Sequence, residues 1–259
     1  MSYKVYSGTG TVYMAPVDAA GAKTGNFIQV GDAYPLSVQV ATKQTEVKSR
    51  MVERAGQIIA SKTEIDKING KLTLREWNAK NLAWAVSGDA AAMTAVGDDV
   101  TAQAHTAPKA GEYIQIGGTT PRRNISAVVV TSSPAGTTYV ENTDYTYDAV
   151  MGLLTTVAGG ALAAGGAPIL VDYTYAAEAN NRVSIGTSVQ IRVAILAHLY
   201  DEYRGANYVL EIDSAVLASS SEINFISEEG SEGEPLEFDM TLETLSGKSS
   251  PGRVDGVPL

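Results

Sequence analysis

Apolar and polar positions alternate along much of this chain at the two-residue period of strands. In 34–42, Leu36, Val38 and Val40 point one way while Ser37, Gln39 and Ala41 point the other. The period returns at 71–76, where Leu72 and Leu74 share a face. In 182–200, Val189, Ile191, Val193 and Ile195 share one face and Gln190 and Arg192 take the other; 207–217 repeats the pattern. Residues 236–245 predict a closing strand, with Leu236, Phe238, Met240 and Leu242 inward and Glu237, Asp239, Thr241 and Glu243 outward. An opening strand is expected over 3–14, bulged at Gly8 or Gly10, and a short one over 27–30. One segment keeps helical spacing: over 75–87, Trp77 and Trp84 share a face, with Leu82, Ala85 and Val86 nearby and Gly88 as the stop.

Between these elements the pattern changes. Residues 43–56 are polar with few core candidates, which predicts a long charged excursion joining two core strands. Residues 89–111, rich in Ala, Asp and Thr, read as a linker. Short strands at turn-punctuated spacing follow at 112–117, 125–131, 138–141, 144–148, 153–157 and 168–175. Residues 157–168 are too rich in glycine for a stable helix, 219–235 are loop-like, and the tail from Ser246 docks or frays. The expectation is an all-β protein with one short helix: residues 1–98 and 182–259 form one β domain, and 99–181 form a small inserted β domain, Ig-like or similar.

Composition narrows the function. The 259 residues include no cysteine, so disulfides and thiolate metal sites are excluded. With 19 basic and 29 acidic side chains the formal charge is −10, which argues against gripping nucleic acid through its phosphates. No run of about 18 apolar residues offers a membrane span, and Met1 to Pro16 lacks a signal-peptide pattern. Tyrosine dominates the aromatics, 13 against 3 Phe and 2 Trp, which suits sheet faces and protein contacts.

Candidate chemistry is sparse. His105 and His198 have no partner at metal-ligand spacing, and no nucleophile elbow or phosphate loop is present. Asp144 with Asp148, or the run from Glu228 to Glu234, offers oxygen ligands for Ca²⁺ without the spaced ladder of an EF-hand. Tyr145, Tyr147, Tyr173 and Tyr175 either stack sugars or pack between strands, packing being the stronger expectation. Asn124 opens a glycosylation sequon, and Arg122 and Arg123 read as a solvated loop. No enzyme, cofactor or metal site is expected.

The charge is unevenly placed. Residues 201–259 hold three basic and thirteen acidic groups, and eight of those acids lie between Glu222 and Glu243 with no base among them. The 43–56 excursion holds Lys43, Lys48, Arg50 and Arg54 against Glu46 and Glu53. Either both are solvated surfaces, or the basic arm of one copy meets acid on another; such complementarity sets register and encounter rate.

Three features together resemble the phage tail tube (major tail) protein family. They are the strand LSVQVAT (36–42) with the charged arm that leads to AGQIIASKTEIDKINGKLTLRE (55–76), the helix with Asn78, Asn81, Leu82, Ala83 and Gly88, and the acidic strand LEFDMTLETL (236–245). The resemblance implies a tail-tube-type β-sandwich that joins five copies of itself into a six-membered ring. Rings stack into a tube, and the arm (Lys43, Glu46, Lys48, Arg50, Glu53, Arg54) reaches a neighbouring subunit. Glu237, Asp239 and Glu243 are the candidates for an acidic lumen wall, and the insert faces outward. The implied partners are tape-measure, tail terminator and baseplate proteins, with genomic DNA passing without specific binding. The implied location is the virion tail, assembled in the host cytoplasm. The alternatives are a carbohydrate- or host-binding β module using the Tyr-rich insert, and a capsid decoration protein.

Overall fold

The computed structural model describes residues 8–118, 120, 122–226 and 234–256. In chain order, β1 (Gly8–Pro16), β2 (Ile28–Gln29), β3 (Ala33–Lys48) and β4 (Ile58–Leu74) precede the helix α1 (Ala79–Ala85). There follow β5 (Asp89–Ala95), β6 (Asp98–Thr106), β7 (Ile114–Gln115), β8 (Ile125–Ser132), β9 (Tyr145–Asp148), β10 (Leu153–Thr156), β11 (Pro168–Tyr175) and β12 (Glu178–Ser184). The chain closes with β13 (Ile191–Asp201), β14 (Ala206–Ser219), β15 (Leu236–Leu242) and β16 (Gly252–Asp255). The protein is all-β with one short helix, and its long strands pair antiparallel.

Two compact units divide the chain. One takes the described residues up to Ala91 and from Arg182 onward; the other is Ala92–Asn181. The crossings fall within β5 and β12, which hydrogen-bond to each other, so the chain leaves the first unit and returns to it along one narrow ribbon. The expected linker over 89–111 is thus partly strand. Its alternation escapes a hydrophobic reading because β5 and β6 carry Ala and Thr where a core strand carries Val or Leu.

In the first unit eight strands make one sheet, in the order β2-β1-β13-β14-β15-β4-β3, with β16 on β14. The sheet curls. Its two end strands β2 and β3 are joined through residues 30–32, a span of roughly 14 Å at most. The sandwich is therefore realised by one sheet folding over on itself. Inside lie Val12 and Met14, Leu72 and Leu74, Val193 and Ile195, Phe238 and Met240. Each large side chain so buried stabilises the fold by about 2 kcal/mol. Val189 does not join them; it precedes β13 and is fully exposed. No bulge interrupts β1, whose register against β13 runs unbroken from Gly8 to Pro16. Residues 3–7 of the expected first strand lie outside the described residues.

The helix is shorter than its periodicity predicts. Asn78 caps it, its Oδ1 accepting from the backbone N–H of Lys80 at 3.0 Å and of Asn81 at 2.9 Å. Trp84 is buried in the core, whereas Trp77 lies before the cap and is largely exposed, so the two do not share a helix face. At the far end Ser87 takes a positive φ of 50°, and Gly88 donates to the Ala83 carbonyl at 2.7 Å. A side chain at Gly88 would collide with the carbonyl of Ser184.

The second unit packs two three-stranded sheets, β7-β10-β9 and β6-β11-β8, around Ile116, Val130, Leu154, Ile169 and Val171. Residues 138–141 make only isolated bridges, Thr138 to Thr131 and Glu141 to Tyr145.

Candidate functional site

The segment expected as a charged loop is a β-ribbon. Strands β3 and β4 stay paired from Leu36–Leu72 out to Lys48–Ile58, and a short 3-10 turn at Val52–Arg54 lies between them. The two strands persist because Thr42, Thr45, Val47, Thr63 and Ile65 favour extended backbone. Both faces are wet, which hides the ribbon from any reading that looks for a core. β15 supports β4 only from Asn69 to Leu74. Beyond that, among the described residues, no other strand pairs with the ribbon, and it projects about 23 Å over Thr42–Lys48 alone.

Its two faces differ. The face continuous with the core carries Leu36 opposite Leu72, Val38 opposite Gly70 and Val40 opposite Ile68. A bulge then leaves Asp66 unpaired, and Thr42 faces Ile65. Val40 and Ile65 are 53% and 65% exposed, so an apolar stripe leaves the core and runs into solvent. The other face is polar. Lys43 sits opposite Glu64 and Thr45 opposite Lys62, with an ion pair between Lys62 and Glu64. Glu46, opposite Ser61, lies on the apolar-stripe side. Lys48, Arg50, Glu53 and Arg54 gather at the tip beside the exposed Met51, Val52, Ile58 and Ile59.

The acidic strand separates into two environments. Glu237 and Asp239 are exposed on β15, opposite Thr73 and Lys71. Lys71 tempers the negative charge there. Glu243 does not continue the row. It follows the end of β15 and accepts a hydrogen bond from Arg192 Nε at 3.1 Å, with Ser214 Oγ at 3.4 Å. Period-2 counting carried it outward because the sequence gives no sign of where the strand stops.

The remaining candidates are committed to structure. Tyr145, Tyr173 and Tyr175 are buried, and the Tyr145 hydroxyl donates to the Val128 carbonyl at 2.9 Å. Burial pushes the Tyr145 and Tyr173 phenols above their ordinary range. Their ring faces are not available for stacking a sugar. Arg122 is not a free loop residue; its guanidinium lies 4.1 Å over the Tyr175 ring. Asp144 spends its two oxygens on the N–H groups of Val140 and Ala161, which hold its carboxyl below the usual range. Asp148 accepts from Val150 and Met151 in a turn. His105 lies on β6 rather than in a linker, with Nε2 3.2 Å from Gln103 Oε1. His198 is exposed on β13. Glu228, Glu229 and Glu232 lie outside the described residues. Among the described residues no group of three His, Asp or Glu is placed to hold a metal ion, and no helix is long and apolar enough to cross a membrane.

A family model described as "Protein of unknown function UCP028589" matches residues 5–248. The chain belongs to that family. No curated protein matches it. The match runs across both compact units.

Sequence reasoning missed one cluster. Trp77 and Phe225 meet edge to face at 5.9 Å, and Trp77 Nε1 donates to the Glu234 carbonyl at 2.7 Å. Nothing local signals it, because the partners come from three separate segments.

Proposed function

We propose that this chain is the repeating subunit of a phage tail tube, a structural virion protein that assembles with copies of itself. The unsupported ribbon carries this reading. A pair of strands with free edges and exposed Val40, Val47, Ile59 and Ile65 gains its missing contacts from another molecule. Rings of six subunits stack head to tail; that contact joins unlike patches along an axis and never returns to its starting copy, which gives a tube. The family resemblance of the ribbon, the short helix and the acidic strand supports the same reading. Tape-measure, terminator and baseplate proteins are the partners it implies.

The net charge of −10 suits a wall past which DNA slides without sticking. Glu237 and Asp239 are the candidates for that wall. The apolar stripe and basic tip of the ribbon perform no chemistry; they set which copy meets which, and in what register.

The test is negative-stain microscopy of the concentrated full chain. Tubes are expected, and the triple variant Lys48→Glu, Arg50→Glu, Arg54→Glu should stay folded without forming them. Long tubes from that variant would remove the ribbon tip from assembly. Single particles in every buffer would overturn the whole reading.

A further inference from the structure

Exposed apolar side chains lie at one end of strand β4 and beyond the other, whose last residue, Leu74, is itself buried. At one lies the ribbon tip, with Met51, Val52, Ile58 and Ile59 in solvent. At the other, past Leu74, lies a platform built from Trp77, Phe225 and Ile226. The 17 residues of β4 set them about 50 Å apart.

The platform is held in shape. Ile223 packs on the core, and Asn224 is fixed from both its backbone and its side chain by the Glu234 carboxylate, at 3.0 and 2.7 Å. Phe225 is thereby set against Trp77, and Ile226 stands 93% exposed beside them. Aromatic and aliphatic side chains so placed are contact surface waiting for cover.

The two ends are complementary in charge. The tip holds Lys48, Arg50 and Arg54 against Glu53 alone. Beside the platform Glu234 keeps its negative charge while holding Asn224, Glu76 accepts from the Asp32 N–H at 3.3 Å, Glu222 precedes Ile223 in the chain, and Arg75 is paired with Asp32. Both surfaces are apolar at the centre and charged at the rim, with opposite signs.

We propose that the ribbon tip of one copy seats on the Trp77–Phe225–Ile226 platform of the next. This rests on the assembly reading above and names the socket. Tip and platform are different patches at opposite ends of one strand pair, so each copy bound leaves a free tip and a free platform, and growth continues along the strand direction.

Absence of cysteine makes the test clean. Val52→Cys and Ile226→Cys replace side chains 97% and 93% exposed, so the folds are undisturbed. Under mild oxidation at assembling concentration, the double variant should give a ladder of covalent multimers on a non-reducing gel. A mixture of the two single variants should stop at heterodimers. Raising the salt from 0.1 to 0.5 M should cut ladder yield several-fold, because rim charges are screened. Tubes without a ladder would overturn the socket and leave the assembly reading standing. No assembled particles from the unaltered chain in any buffer would overturn both.

Discussion

Arg192 and Glu243 meet across the sheet, guanidinium Nε to carboxylate at 3.1 Å, both partly buried. One resides on β13 and the other just past β15, on opposite sides of β14. The pair fixes the point where the last core strand turns away. Glu243→Ala should lower unfolding stability by about 1 kcal/mol, the range of a half-exposed ion pair whose partner is left without its acceptor. Urea titration checks it, and Glu243→Gln should recover part of the loss through the remaining hydrogen bond.

The alternation of β15 gives a sharper contrast. Phe238 is buried and its neighbour Asp239 is exposed. Phe238→Ala should cost about 3–5 kcal/mol through the cavity it opens. Asp239→Ala should change stability by no more than about 0.5 kcal/mol. Equal effects at both positions would contradict the facing of this strand.

Shortening the ribbon separates folding from association. Gln44 pairs with Thr63, so the two can be joined through an Asn-Gly turn. No member of the buried core lies beyond that point. The melting temperature should stay within about 4 °C of the parent, corresponding to about 1 kcal/mol for a domain of this size. Sedimentation should show loss of the assembled species at the same concentration.

Deleting the insert is a separate test. Replacing Ala92–Asn181 with a short Gly-Ser turn joins strands that already lie side by side, β5 and β12. The remaining sheet should fold with an intact far-ultraviolet strand signature and still form tubes. A folded variant that forms none would place the insert within the assembly contact.

Acid acts on the insert through His105. Burial holds its imidazole below the ordinary value near 6.5. A folded-state value below the unfolded one means that the unfolded chain takes up the proton first as pH falls. His105 therefore contributes nothing above about pH 7 and destabilises progressively below about 6.5. With two histidines in the chain, proton NMR resolves the His105 titration, and its midpoint should fall below the ordinary value near 6.5.

The sequence carried the elements whose alternation used large side chains. Leu236 to Leu242 and the run through Ile191, Val193 and Ile195 announce their inner faces unaided. It failed where alternation had no core to point at. Lys43, Thr45 and Val47 are strand residues with water on both sides, and β5 and β6 pack with alanines. The helix was misjudged at Trp77 because the cap at Asn78 outweighs a seven-residue spacing. The basic arm was readable as charge, but the platform was not, since Trp77, Phe225 and Glu234 become neighbours only in the fold.

The strand order also dictates the order of events on the ribosome. Until β13 is made, β1 meets only the two-residue β2, because β13 and β14 occupy the middle of the sheet and are synthesised late. Ala92–Asn181 needs no residue outside itself to close its core, so the guest matures before its host. Through that interval β1 has only β2 and β3 has only β4, and the sheet to which they belong closes once β13 and β14 have been made.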